Sequence, residues 1–548
     1  MRVLDVQDLG VVIDGRPILE SVSLSLDAGE VLGLVGESGS GKSMTSLAIL
    51  GLLPPRAEAT GQVTLDGASI LGASDAALRQ VRGRKVGMVF QEPMTALNPL
   101  MTIGDQVAET LRIHGQGSRK AARTAARGLL DRVGLPAERF PLGRFPHELS
   151  GGQRQRVAIA MAIALKPRVL IADEATTALD VTTQAQILDL LKRLVREDGV
   201  GLILITHDLA VVAETADRVA VMKDGEVVEE GPAARIAGGM THPYSRRLFD
   251  AATHAPTRVR ATRPEAPPIL QIEGVVREYA GPARLFGPRK NVRAVDDVSF
   301  VVQPGECVGL VGESGCGKST LLRTVMALER PQAGRVLVHG EDITRATGAD
   351  LRRLRRHIQM VFQDPYGSFD PRWRVHRLVA ENLHLLDEAP TAAEARRRVD
   401  EMLEQVGLSA SDGEKFAHEF SGGQRQRIAI ARALITGPSI LALDEAVSAL
   451  DVSIRAQILD LLAELSGRLS LSYLFVTHDL TVVRSVADRL MVMRGGRIVE
   501  TGETEAIFSA PKAAYTRDLL AATPDLSRNM RALAEGRDAD PNTEEIDR

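Results

Sequence analysis

Two stretches of the sequence share the spacing G-x-x-x-x-G-K-S. They are Gly36-Glu37-Ser38-Gly39-Ser40-Gly41-Lys42-Ser43 and Gly312-Glu313-Ser314-Gly315-Cys316-Gly317-Lys318-Ser319. Glycines at this spacing let successive backbone N–H groups wrap phosphates. The lysine neutralises the β and γ phosphates, and the serine hydroxyl is a hard oxygen ligand suited to Mg²⁺. Each loop follows an apolar run that reads as a strand (Glu30 to Val35; Glu306 to Val311). Each precedes a predicted helix (Ser43 to Leu50; Ser319 to Ala327), with Met44 and Thr320 as the next residues beside the anion. Cys316 fills a small-residue position in the second loop. It has two readings, packing or redox chemistry.

Two further apolar runs end in paired acids: Arg168-Val169-Leu170-Ile171-Ala172-Asp173-Glu174 and Ser439-Ile440-Leu441-Ala442-Leu443-Asp444-Glu445. Asp173 and Asp444 suit Mg²⁺, through water. Glu174 and Glu445 suit the carboxylate that polarises an attacking water in phosphoryl transfer. A single Asp-Glu pair after a strand is commonly just solvated, but two pairs accompanying two phosphate loops call for the chemical reading. Ser150-Gly151-Gly152-Gln153 recurs as Ser421-Gly422-Gly423-Gln424, and Thr206-His207-Asp208-Leu209 as Thr477-His478-Asp479-Leu480. Small residues at a helix start present N–H groups and a positive dipole end to an anion.

All these motifs repeat in the same order at a nearly constant offset, so the chain is one domain duplicated and not a short-period solenoid. Its 548 residues exceed one ordinary core. Between the motifs, short β-branched runs (Leu202 to Ile205, Tyr473 to Val476) alternate with helical patterns (Gln184 to Val195, Arg455 to Leu465). That alternation predicts an α/β fold with a mostly parallel sheet in each half. The expected division is a first domain over 1–254, a Pro- and Arg-rich linker over 255–268 and a second domain over 269–522. A polar, loosely ordered tail is expected over 523–548.

The charge balance excludes a general basic surface, since 67 Lys and Arg face 71 Asp and Glu, a formal net charge of -4. No nucleic-acid partner is therefore expected. No apolar run approaches the roughly 20 residues that span a bilayer. The start of the sequence does not read as a secretory signal. Two cysteines, Cys307 and Cys316, offer neither a disulfide framework nor metal-ligand spacing, which points to a reduced cytosolic setting.

At Ser150 to Gln153 and Ser421 to Gln424 the chain resembles the signature motif of ABC ATPases, a group of P-loop NTPases. The resemblance implies two tandem ABC-type domains. Each would have a mostly parallel core sheet, an N-terminal antiparallel β part and a helical subdomain carrying the signature. It implies ATP and Mg²⁺ as ligands, with ATP held between the glycine loop of one half and the signature of the other. Gln91 and Gln363, after Met88-Val89-Phe90 and Met360-Val361-Phe362, resemble the Q-loop glutamine, with Mg²⁺ contact and coupling implied. His207 and His478 resemble the switch histidine that contacts the γ-phosphate, alongside Glu174 and Glu445 in catalysis. Ala178-Leu179-Asp180 and Ala449-Leu450-Asp451 resemble the D-loop. Tyr279 fits the aromatic that stacks on adenine, although plain strand packing is also open. The first half departs from the pattern, with Ile13 at that place.

Finer features resemble the fused ATPase subunits of dipeptide and oligopeptide importers. They are the segments Gln91-Glu92-Pro93-Met94-Thr95 and Gln363-Asp364-Pro365-Tyr366, the extensions at His242-Pro243-Tyr244 and Ala514-Tyr515-Thr516, and the insertion from Gly281 to Asn291. This resemblance implies two integral-membrane permease subunits as partners and, through them, an extracytoplasmic solute-binding protein. The chain would sit peripherally on the cytoplasmic face of the inner membrane. Some relatives carry an iron–sulfur cluster on C-terminal cysteines; none lie there, so no cluster is expected. The rival reading is a ribosome-associated ABC ATPase, disfavoured by the short linker. A DNA-repair ABC ATPase would need zinc-type cysteines or a coiled-coil insertion.

Overall fold

The computed structural model describes residues 1–90, 96–176, 179–257, 266–281, 291–448 and 450–535. The chain divides into two compact units, His254–Thr523 and a first unit of Met1–Thr253 that the chain rejoins from Pro524. Strands of the first unit are β1 (Arg2–Ile13), β2 (Arg16–Asp27), β3 (Val31–Val35), β4 (Ala57–Leu65), β5 (Ala68–Ser69), β6 (Val86–Val89), β7 (Val169–Asp173), β8 (Gly201–Ile205), β9 (Arg218–Lys223) and β10 (Glu226–Pro232). One sheet has the order β10-β9-β3-β8-β7-β6 and is parallel except for β10. The other, β2-β1-β4-β5, is antiparallel. Every residue of β3, β7 and β8 is buried. Covered on both faces, such strands read as continuous apolar runs and not as alternation.

The second unit repeats this plan with β11 (Leu270–Tyr279), β12 (Val292–Val302), β13 (Cys307–Val311), β14 (Ala333–Val338), β15 (Glu341–Asp342), β16 (Ile358–Val361), β17 (Ile440–Asp444), β18 (Ser472–Val476), β19 (Arg489–Arg494) and β20 (Arg497–Glu503). Its sheet orders are β16-β17-β18-β13-β19-β20 and β12-β11-β14-β15. In each unit one apolar core lies between the two sheets, joining for example Val6, Leu9, Leu32, Ile203 and Met222 in the first. Helices Ile103–Ile113, Arg119–Arg132 and Gly151–Ala162 stand between β6 and β7. Their counterparts include Val375–Ala380, Ala392–Gln405 and Gly422–Leu434.

The glycine loops leave the C-terminal ends of β3 and β13, the acids those of β7 and β17, and the histidines follow β8 and β18. In a parallel sheet the strands' carboxyl ends form the crevice where ligands bind. The duplicated topology therefore gathers each set of motifs at one edge of its own sheet.

Two sequence expectations change. Helices Val181–Asp198 and Val452–Leu469 begin three residues earlier than the apolar pattern suggested, directly after Asp180 and Asp451. The Asp180 carboxylate accepts the Thr183 N–H at 3.0 Å, an N-cap that apolar periodicity does not report. The expected loose tail contains a helix instead, Leu526–Ala534, capped by Asp525. It packs on helices Leu209–Thr215 and Ala233–Gly238 of the first unit, with Leu526 and Asn529 buried. The buried face is small and partly polar, with Asn529 donating to the Ala210 carbonyl at 3.4 Å. Residues 258–265 of the linker and 282–290 of the insertion lie outside the described residues.

Candidate functional site

In the first unit Lys42 opens the helix Lys42–Ile49 and is 7% exposed. Its ammonium donates to the carbonyls of Gly36 and Glu37, both at 2.7 Å, and to Ser40 Oγ at 3.3 Å. Lys318 does the same with Gly312 (2.6 Å) and Glu313 (3.0 Å). The lysine thus folds back on its own loop and spans the concavity that phosphates would fill. Ser38, Gly39 and Ser43 are exposed around it, as are Ser314, Gly315 and Ser319. Gly36 has φ 155°, and a Cβ there would lie 2.3 Å from the Met222 carbonyl, so the loop passes too close to β9 for any side chain. Cys316 takes the place of Ser40, its Sγ 3.9 Å from Lys318 Nζ. Burial pushes its thiol pKa up, which keeps it protonated and favours the packing reading.

Ser43 Oγ donates to Asp173 Oδ1 at 3.2 Å. Burial, against the pull of that hydrogen bond, leaves the Asp173 carboxyl above its ordinary range. In the second unit burial, then the adjacent Glu445 charge, pushes Asp444 up to about 6. Asp444 Oδ1 is buried with no hydrogen-bond partner among the described residues. A serine hydroxyl, a carboxylate and an unsatisfied carboxylate oxygen make a hard-oxygen donor set, which fits Mg²⁺.

Glu174 and Glu445 both sit at φ 48°, in the left-handed region, with their N–H groups donating to Ile205 and Val476 of the neighbouring strands. This turns each carboxylate toward the histidine that follows the neighbouring strand. His207 Nδ1 is 3.3 Å from Glu174 Oε1, and His478 Nδ1 is 3.2 Å from Glu445 Oε1. Gln363 Nε2 donates to Glu445 Oε2 at 2.7 Å. Burial alone would raise the Glu445 pKa, but the His478 hydrogen bond and the charges of His478 and Lys318 outweigh it and bring it down. Gln91 lies outside the described residues, as do Ala178 and Ala449.

Ser150 caps the helix Gly151–Ala162 in a reciprocal box. Gln153 N–H donates to Ser150 Oγ at 3.4 Å, and Ser150 N–H to Gln153 Oε1 at 3.0 Å. Ser421 and Gln424 repeat it at the same distances. Ser150 and Gly151 are exposed, whereas Gly152 is buried. A Cβ on Gly152 would meet Thr183 Cγ2 at 2.1 Å, and one on Gly423 would meet Ile454 Cγ2 at 2.4 Å. The second glycine therefore lets the next helix approach, a packing reason beside the anion-binding one.

Residues 19–177 and 295–448 match the ABC transporter family, and 499–548 match the oligopeptide/dipeptide transporter C-terminal region. The chain belongs to the ABC transporter family. As a member of it, the chain is an ABC-type ATPase with two tandem ABC domains. It is 44% identical over 95% of its length to the "Glutathione import ATP-binding protein GsiA" of Salmonella choleraesuis (strain SC-B67), covering 89% of that protein. The protein of the same name from Escherichia coli (strain K12) is also 44% identical, over 95% of this chain and 90% of that one. A solved structure of cbiO1 from Clostridium perfringens, part of the ABC transporter complex cbiONQ, is 28% identical. It covers 45% of this chain and 92% of its own, with TM-score 0.40. This ABC ATPase is the ATP-binding component of a transporter of the oligopeptide/dipeptide class.

Ile13 and Tyr279 occupy equivalent last positions of β1 and β11, where they pair with Arg16 and Val292 at the starts of β2 and β12. Tyr279 Oη donates to Glu329 Oε2 at 2.6 Å, and the Arg277 guanidinium lies 4.7 Å from its ring centre. Ile13 packs against the apolar core of its unit. Sequence reasoning missed Arg432, buried on the signature helix of the second unit. It donates to the Ser368 carbonyl at 2.9 Å and hydroxyl at 2.8 Å, tying that helix to the segment after Gln363. Its only sequence signal was a basic residue inside an apolar helical stretch.

Proposed function

We propose that this chain powers import of short peptides, of the size of glutathione or a dipeptide, across the cytoplasmic membrane. The observation that supports this reading is a glycine loop, a strand-end acid pair and a histidine gathered at one sheet edge in each unit, joined to the oligopeptide-type C-terminal region. Backbone N–H groups of Gly36 to Ser43 and Gly312 to Ser319 receive the phosphates, flanked by Met44 and Thr320. Lys42 and Lys318 leave their loop carbonyls to neutralise them. Glu174 and Glu445 accept a proton from the attacking water, and His207 and His478 hold those carboxylates and face the γ-phosphate. Ser150 to Gln153 and Ser421 to Gln424 offer helix-start N–H groups to a γ-phosphate. Mg²⁺ would be held by Ser43, Gln91 and Asp173, and by Ser319, Gln363 and Asp444; it supplies charge that offsets the phosphates.

No described helix is long and apolar enough to cross a membrane, so transport needs separate permease subunits. The chain sits on their cytoplasmic face, and a solute-binding protein delivers the peptide outside. Co-purification with two multispanning permeases, and ATPase stimulation in vesicles by binding protein loaded with glutathione or a dipeptide, test this. Co-sedimentation with ribosomes and no permease association would overturn it.

The two adenine positions give a further expectation. An aromatic stacked on a base is worth about 1–3 kcal/mol in nucleic-acid systems, and an aliphatic side chain recovers part of that by burial. Tyr279→Ala weakens ATP at the second loop several-fold, and Ile13→Tyr tightens it at the first by less. The smaller gain follows because Val11 and Leu53 stand where Arg277 and Glu329 brace Tyr279. Binding to variants lacking the other loop lysine measures each site; an Ile13→Tyr variant with unchanged affinity would remove Ile13 from the adenine site.

A further inference from the structure

Each C-terminal extension reaches back to its own glycine loop through one tyrosine. Tyr244, at the start of helix Pro243–Ala252, is 5% exposed. Its hydroxyl accepts the Glu37 N–H at 3.2 Å and donates to the Glu37 carboxylate at 3.2 Å. Tyr515 in the second extension accepts the Glu313 N–H at the same 3.2 Å. The peptide groups on the two sides of Glu37 are therefore both held: its N–H by Tyr244, its C=O by Lys42. Tyr515 and Lys318 hold Glu313 likewise.

The two copies have diverged around the tyrosine but keep what fixes it. In the first, His242 caps the helix by accepting the Tyr244 N–H at 3.2 Å, and Pro243 needs no N–H partner. In the second these are Ala513 and Ala514, and no side chain caps the helix. In both copies an acid anchors the backbone just ahead of the helix. Glu229 accepts the N–H groups of Thr241 (2.7 Å) and His242 (3.2 Å), and Glu500 those of Lys512 (2.8 Å) and Ala513 (3.0 Å). A cation lies over each ring, Lys223 at 5.6 Å from Tyr244 and Arg494 at 4.7 Å from Tyr515.

We infer that Tyr244 and Tyr515 are positioning residues for nucleotide: each clamps the second residue of its loop so that the phosphate-receiving shape persists when the lysine leaves the loop carbonyls. With three donors already directed at the loop, the lysine reaches the phosphates only by giving up at least one of those contacts. Once it turns to the phosphates, the tyrosine still fixes the Glu37 or Glu313 peptide from the opposite end. By linkage, nucleotide in the loop must in turn order the extension.

This inference rests on nucleotide occupying the glycine loops, and the two fail differently. In the full chain, Tyr244→Phe with Tyr515→Phe keeps both rings and removes the hydroxyls. The expected result is a Kd for MgADP and a KM for ATP raised about three- to tenfold, the worth of one hydrogen bond, with kcat within about twofold. In the parent chain, MgADP should slow amide hydrogen exchange over 241–253 and 512–522, and this slowing should vanish in the double variant. Unchanged Kd and KM, a fall in kcat at constant KM, or exchange in the parent that ignores MgADP would each overturn the clamp. A Lys42→Ala and Lys318→Ala chain should lose MgADP. If it binds normally, the glycine-loop reading has failed; if it does not, while the Phe variant matches the parent, the tyrosine inference alone has failed.

Discussion

Replacing Glu174 and Glu445 together by glutamine should slow ATP hydrolysis by at least about a hundredfold while leaving ATP binding near that of the parent. A positioned general base contributes typically 10²–10⁴-fold, and glutamine keeps the shape and hydrogen-bonding reach of glutamate without its charge. The left-handed backbone at φ 48° is set by the strand end and not by the side chain, so the substituted residue should keep its direction. His478 and Lys318 hold the Glu445 pKa below its ordinary value, so an anion stands there at neutral pH and its removal is a real change. Gln363 and His478 can both still hydrogen-bond an amide. Single-turnover hydrolysis of pre-bound ATP is the measurement, because it separates chemistry from binding. Turnover within a few-fold of the parent would remove both glutamates from the base role.

The elements that carry this chemistry could be read in the sequence because their signals are local. A buried parallel strand is a continuous apolar run, a phosphate loop has fixed glycine spacing, and a strand-end acid follows directly in the chain. Strand limits consequently agree to within about a residue at β3, β8, β13 and β18. What stayed hidden depends on contacts between distant residues. Nothing in Ser150-Gly151-Gly152-Gln153 reports that Thr183 leaves no room for a Cβ on Gly152. Nor does His242-Pro243-Tyr244 indicate which backbone amide its tyrosine meets, 207 residues earlier in the chain. Gln363 was readable as a candidate ligand, but its hydrogen bond to Glu445 arises only because β16 and β17 are neighbours. The helix Leu526–Ala534 escaped because its buried face is small and partly polar, with Asn529 donating to the Ala210 carbonyl at 3.4 Å.

In metal-free protein at pH 7.5, Asp444→Asn should stabilise the second unit while abolishing Mg²⁺-dependent hydrolysis at its loop. Burial and the Glu445 charge raise the Asp444 pKa from 3.8 to about 6, so its ionised form is disfavoured in the fold. The favourable contribution of the protonated acid is complete below about pH 3.8 and is lost as pH rises through about 6. Above that, an anion remains that Arg323, Lys318 and Ser319 offset only in part. At about 1.4 kcal/mol per tenfold change in protonation, the ionised acid costs at most roughly 3 kcal/mol. Asparagine removes the charge but brings an N–H₂ group needing a partner, so a net gain of about 1–2 kcal/mol is expected. Denaturant unfolding in EDTA, following the second unit's transition at pH 7.5 and pH 4, checks both sign and window: the gain should be present at the first and nearly gone at the second. A variant less stable than the parent at pH 7.5, or a gain that ignores pH, would show that Asp444 finds compensation in the fold. Asp173, whose carboxyl burial also raises against a Ser43 hydrogen bond at 3.2 Å, should respond to the same substitution with the same sign. A carboxylate kept at a cost to stability, with one oxygen left unpartnered, is the arrangement expected where charge is retained for a cation.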